Sequence, residues 1–260
     1  AAFERRTGRV LAKANALSGM TQSALDWALR KSGRQQHALD FWHSFTYPRA
    51  TAEVANLSVM PEPQAVETRP EIVKFCFFGT HSHRVNLEMF VRSFVELGQR
   101  GVPAVLMLCG KGALTGELRA ISQGSRAVLF PGWLNTKQIR FVMSVSDVGV
   151  MPYSSPDFHM NMPNKVAEYL SGGLPILSCT EGEVRGLLER ERCGFWCEPD
   201  QHAIVEAVTR LTENRAAIAG AGRQAKRVFE QMFEVDAVFG RVVDRLAKIA
   251  GPDARRRKFK

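Results

Sequence analysis

Between residues 73 and 178 short apolar runs alternate with amphipathic stretches, and this rhythm restricts the possible folds more than any other feature of the chain. Residues 73–78, 104–109, 127–130, 147–151 and 175–178 read as strands, because they are short, apolar and bounded by glycine or proline. Helical patterns lie between them. Leu87, Phe90, Val91, Phe94 and Leu97 form one stripe, with Asn86 placed to cap it, and 118–121, 139–145 and 163–170 follow. Strand then helix, five times over with short connections, predicts an α/β fold: a parallel sheet covered by helices on both faces. Three more helical segments, near 201–211, 215–232 and 235–250, complete the pattern.

The flanks read differently. Thr21 is placed to cap a helix carrying Ala24, Leu25, Trp27, Ala28 and Leu29 and ending near Gly33, after which 38–46 looks extended. From Pro48 to Pro70 prolines and polar residues lose all period, as in a linker. The expected division is therefore 1–50, a linker at 51–70, a sheet domain at 71–250 and a basic tail at 251–260. The chain starts without methionine or a long apolar stretch, which implies a processed start or a piece of a longer protein, and no apolar run is long enough to span a bilayer.

Composition excludes rather than selects. With 45% hydrophobic and 23% charged residues the 260-residue chain can build an ordinary core. The five cysteines form no CxxC pair, so buried thiols in a reducing compartment are expected and a cysteine-held metal is not. The formal net charge of +9 is concentrated in the tail by Arg255, Arg256, Arg257, Lys258 and Lys260. Such a tail is either a solvated end or a weak contact for anionic lipid head groups. No basic motif interleaved with aromatic residues points to nucleic acid.

In parallel sheets of this kind the ligand lies beyond the carboxyl ends of the strands, where glycine-rich loops enter helices. Four stretches qualify: 79–86, 110–112, 131–135 and 153–168. The last is the most informative. Pro163 suits a first helical position, and the helix it opens offers backbone N–H groups and a positive dipole end to phosphate, with Asn164 and Lys165 in the first turn. Glu168 stands five residues on, about 7.5 Å along the axis, which matches the distance from a diphosphate to a ribose diol. It is either that diol's acceptor or a solvent-facing carboxylate.

The run MPYSSPDFHMNMPNKVAEYLSGGLPIL resembles the nucleotide-sugar site of retaining GT-B glycosyltransferases of family 4, in particular bacterial members with Pro-Asn-Lys ahead of Glu-Tyr. FFGT at 77–80, LCGKG at 108–112, FPGW at 130–133, SDVGVMPY at 146–153 and the 181–183 loop leading to Cys193-Gly194 keep the same order, so the resemblance covers nearly all of 73–250. SGMTQSALDWALRKSGR resembles the last strand and helix of the acceptor domain. The resemblance implies a Rossmann-like half of a GT-B fold, with the end of the acceptor half before it. It also implies a nucleoside-diphosphate sugar as co-substrate with no further cofactor and no metal, and a sugar or lipid-linked saccharide as acceptor. The expected setting is cytoplasmic, at or near the inner face of the membrane, in bacterial surface polysaccharide synthesis.

Carried over by position, Glu168 holds the ribose, 132–134 receive the base, and 79–84 approach the diphosphate. Lys165 and Arg84 stabilise its departure as the anomeric centre gains oxocarbenium character. Gly79, Thr80, Gly110, Gly132, Trp133, Asn164, His159 and Asn161 complete the donor set. Trp133 either stacks on the base or packs in the core; Gly110-Lys111-Gly112 is either a ligand loop or only a tight turn. His159 and Asn161 either touch the sugar or order their loop. Two features depart from the family pattern. The acidic residue expected eight before Glu168 is Met160, with Asp157 the nearest acid, and the basic positions after Gly79 are Thr80 and Val85, with His81, His83 and Arg84 as nearby replacements. A nucleotide-sugar epimerase or a non-catalytic binding module on the same architecture is the alternative.

Overall fold

The computed structural model describes residues 2–49, 60 and 66–250; most of the expected linker and the whole basic tail lie outside the described residues. The first segment contains α1 (Ala2–Lys13), β1 (Ser18–Gly19), α2 (Gln22–Ser32) and β2 (Phe41–Trp42), with β1 and β2 paired in parallel. Thr21 caps α2 as the sequence implies. Its hydroxyl accepts the Ala24 N–H, and Gly33 ends the helix at φ 68°, a left-handed conformation that glycine tolerates. Leu17, Leu25 and Ala28 form a small apolar cluster of their own there.

Beyond the linker come β3 (Val73–Phe78), α3 (Leu87–Gln99), β4 (Ala104–Cys109), α4 (Thr115–Ile121), β5 (Val128–Gly132), α5 (Thr136–Val145) and β6 (Val148–Met151). They are followed by α6 (Asn164–Ser171), β7 (Ile176–Ser178), α7 (Glu183–Glu191), β8 (Gly194–Trp196), α8 (Gln201–Glu213), α9 (Arg215–Met232) and α10 (Val235–Ala250). The six strands β3–β8 make one parallel sheet in the order β5-β4-β3-β6-β7-β8. The chain steps outward from β3 to β5, crosses back, and continues on the other side of β3, so the order reverses between β3 and β6. A crevice opens at such a reversal, at the carboxyl ends of the two strands.

Every residue of β3 and β4 is buried, as expected for strands covered on both faces. Lys74 is the one charged residue in that run. It is accommodated by Asp147, whose carboxylate accepts the Lys74 amide at 2.8 Å and lies 3.2 Å from Nζ, while Nζ also donates to the carbonyls of Arg69 and Ile72. The five cysteines are all buried thiols, with Cys179 and Cys197, which directly follow the neighbouring strands β7 and β8, holding their Sγ atoms 3.7 Å apart.

Four sequence expectations need correction. The sheet has a sixth strand, β8, preceded by α7; at three residues, one of them glycine, β8 carries too little apolar pattern to be read alone. Asn86 starts α3 without a side-chain capping bond, because its ψ of 59° leaves the extended geometry a cap needs; its N–H instead donates to Pro152 O. Pro163 is the cap of α6 and not its first residue, with ψ at 143°. Met60 and Val66, inside the expected linker, are buried in the main core.

Candidate functional site

Glycines line the mouth of the crevice. The N–H of Gly79, after β3, donates to Cys109 O at the end of β4, and the N–H of Gly110 donates to Gly132 O at the end of β5. A side chain at Gly110 would collide with the Gly79 carbonyl, so only glycine allows the strand ends to approach this closely. The turn reading of Gly110-Lys111-Gly112 is thereby explained by packing.

β3 and β6 pair only through Phe75–Val148 and Cys76–Gly149 and then diverge. Tyr169 of α6 fills the gap. Its hydroxyl lies 3.1 Å from Val150 O, 3.3 Å from Cys76 O and 3.4 Å from the Phe78 N–H, so it serves backbone groups of both strands at once. Its ring lies over Gly149, where a Cβ would stand 2.5 Å from the ring carbon. Tyr169 therefore fixes the rotation of α6 against the sheet.

That rotation determines where the neighbouring residues go. Lys165 Cε lies 3.1 Å from the point a side chain at Gly79 would occupy, and Nζ sits 5.6 Å from the centre of the Phe77 ring. The Lys165 side chain is 18% exposed and that of Glu168 15%, with Nζ 3.6 Å from Glu168 Oε2. Burial holds the Lys165 ammonium below the ordinary lysine value, while the Glu168 carboxylate pulls it upward. Glu168 Oε1 accepts a 3.1 Å hydrogen bond from the phenol of Tyr47. Burial, reinforced by the Glu168 charge, raises the Tyr47 pKa, so the phenol remains a donor at neutral pH. Tyr47 belongs to the segment after β2. The sequence offers no sign of its part here, since it lies 121 positions from its partner.

The remaining expected residues spread along the mouth. Thr80, Asn164 and Asn161 are exposed and His159 half-buried. Asn161 Nδ2 donates to Asp157 O at 2.7 Å, and His159 O accepts the Glu183 N–H at 2.9 Å, so both order their loop. Trp133 is 66% exposed after Gly132, which removes the core-packing reading. Arg84 does not meet Lys165. It is exposed and lines a cleft of about 420 Å³ between 83–88 and 154–158, with His83 and Asn86 on its side and Ser155, Asp157 and Phe158 opposite. His81 is fully buried beside Phe77 and Phe130. Burial, and secondarily the charge of Arg119, lowers its pKa, so it is a neutral core group and no replacement for a phosphate-binding cation. Its Nδ1 is 3.0 Å from Thr115 Oγ1.

The N-terminal segment reaches the same mouth. Thr21 Oγ1 donates to Met160 O at 2.9 Å, and the Ser23 N–H donates to Glu183 Oε1 at 2.7 Å. A carboxylate on the first turn of α2 meets the positive end of that helix. Among the described residues no group of three His, Cys, Asp or Glu side chains is arranged to hold a metal. The arrangement offers a cation and a helix N-terminus for an anion, and a carboxylate for hydroxyl groups one to two turns further on.

A family model described as "Glycosyl transferases group 1" matches residues 73–214. No curated protein sequence matches the chain. Among solved structures the chain is similar to Anabaena HepE in complex with UDP and glucose, at TM-score 0.71 and 14% identity, over 94% of this chain and 67% of that one. It is also similar to a glycosyltransferase from Rickettsia africae, at TM-score 0.78 and 10% identity, over 96% and 68%. WaaG, a glycosyltransferase involved in lipopolysaccharide biosynthesis, matches at TM-score 0.64 and 13% identity, over 88% and 61%. At such identities the likeness is one of fold. The chain spans about two thirds of the length of these structures.

Proposed function

The chain belongs to the group 1 glycosyl transferases and has the sheet of a GT-B half; from this we propose that it binds the nucleoside-diphosphate sugar of a retaining sugar transfer. The observation that carries the reading is the meeting of Lys165 and Glu168 at the head of α6, against Gly79 and at the point where strand order reverses. In this reading the diphosphate lies at the N-terminus of α6 beside Lys165, and the ribose diol donates to Glu168. The base lies toward Gly132 and Trp133. The sugar extends into the cleft between Arg84 and Asp157, where Asp157 replaces the carboxylate that Met160 lacks. As the bond to the sugar lengthens, negative charge grows on the diphosphate, and fixed donors aimed at it lower the barrier.

The acceptor, a sugar or lipid-linked saccharide, requires a second lobe, of which 1–50 would be the end. Support comes from α10, where Val235, Phe239, Val243 and Leu246 form a stripe left exposed among the described residues. Surface polysaccharide assembly at the cytoplasmic side, with the basic tail touching anionic lipid, is the proposed setting; no helix among the described residues is long and apolar enough to cross a membrane. A thermal-shift series with UDP-, GDP- and ADP-sugars, and with a dTDP-sugar as the contrast that lacks the 2′-hydroxyl, tests the reading. One donor class should raise the melting temperature, and Glu168→Ala should remove that rise. No shift with any of them refutes donor binding. Donor binding without turnover in the full-length protein would favour a non-catalytic module, the alternative that Met160 supports.

A further inference from the structure

Tyr47 lies outside the stretch matched by the family model, yet it makes a side-chain hydrogen bond to the carboxylate at the centre of the site. Its backbone is held in place. The Tyr47 N–H donates to Phe233 O at 2.9 Å, the Phe45 ring packs 5.6 Å from that of Phe233, and Ser44 Oγ donates to Met232 O. Residues 44–47 thus form a strap anchored to the end of α9, and α9 packs on α6. The strap carries the phenol to Glu168 from outside the helix.

From this geometry we propose that Tyr47 is a positioning residue for the nucleotide ribose. A carboxylate has two oxygens and about four lone-pair directions. Tyr47 takes one on Oε1, and Lys165 lies 3.6 Å from Oε2. Roughly one direction on each oxygen is left, the number a vicinal diol needs. An unrestrained glutamate side chain would sample several rotamers and lose that rotamer freedom on binding, at a cost to affinity. The phenol selects one orientation beforehand, so its effect is confined to ligands that carry the diol.

The inference rests on the ribose role of Glu168, and the test separates the two. Calorimetry compares UDP with 2′,3′-dideoxy-UDP, and GDP with its dideoxy form, on the chain itself, on Tyr47→Phe and on Glu168→Gln. The unaltered protein should prefer the ribose form by about tenfold or more, equivalent to one good charged hydrogen bond. Tyr47→Phe should reduce that preference at least about threefold while leaving dideoxy binding unchanged. Glu168→Gln should abolish it. If Tyr47→Phe keeps the full preference while Glu168→Gln loses it, the positioning role is refuted and the ribose role stands. Equal loss for both ligand forms also refutes it, because a merely structural residue acts that way. No ribose preference in the unaltered protein, or no binding of any diphosphate, refutes the ribose role and the inference together. Should Tyr47→Phe fail to fold, Tyr47→Met is read by the same ratio; if neither folds, the residue is structural and the inference fails.

Discussion

Lys165 and Glu168 gain their meaning from burial. Both side chains are mostly removed from water, so each depends on the other for compensation, and Glu168 on the Tyr47 phenol as well. Replacing Glu168 by Ala should weaken nucleotide binding by about 1–3 kcal/mol, the cost of a lost charged hydrogen bond, and unchanged calorimetric affinity would take the ribose away from this residue. Lys165 adds a pH dependence whose sign follows from its lowered pKa. Diphosphate affinity should be full below that lowered value and decline as pH rises through it, earlier than for a lysine at the ordinary 10.5. Lys165→Arg should remove the decline, because arginine keeps its charge. Folding stability moves the other way. The unfolded chain holds the Lys165 proton more tightly, so the burial cost is relieved as pH rises toward 10.5. His81 gives a complementary acid response: its folded pKa lies below 6.5, so stability should fall as pH drops from 6.5 through the lowered value. In His81→Gln that slope should vanish from denaturation curves.

At the scale of elements, α6 is the part on which the site depends, and Tyr169 is what registers it. Tyr169→Phe leaves three backbone groups without the hydroxyl and should cost about 1–3 kcal/mol in denaturant unfolding. Gly149→Ala forces a methyl into the Tyr169 ring, and overpacking of this kind should cost about 1–3 kcal/mol or more. A stability equal to that of the unaltered protein in either variant would show that the strands close the gap by other means. Much of this architecture was legible in the sequence, for a physical reason. Strands buried on both faces must be continuously apolar, and the helices between them must show one apolar stripe, so β3 to β7 and α3 to α6 announce themselves. The start of α6 was legible to within one residue, since Pro163 marks it, though as the cap and not as the first helical residue. What stayed hidden depends on distant contacts. β8 is too short for a pattern, the burial of His81 follows from how Phe77 and Phe130 enclose it, and Tyr47 reaches Glu168 only once the strap has docked on Phe233.

At the scale of the molecule, the N-terminal segment and the sheet meet where the ligand is expected. Thr21 and Ser23 hold the Met160 carbonyl and the Glu183 carboxylate, and both partners border the loop that leads into α6. Glu183→Ala should loosen this contact by about 0.5–2 kcal/mol, the range for loss of a helix N-terminal partner, and increase proteolytic nicking between 153 and 163. An unchanged cleavage pattern would show that the loop keeps its shape unaided. The strap from β2 makes a related point about boundaries. The stretch that defines the family begins at residue 73, whereas the phenol that restrains Glu168 enters at residue 47. A chimera that swaps only 73–214 into a relative would import the glutamate without its restraint and inherit whatever the host strap provides. Exchanges of donor preference between such enzymes should therefore be cut ahead of Thr21, so that loop, strap and helix travel as one inherited piece.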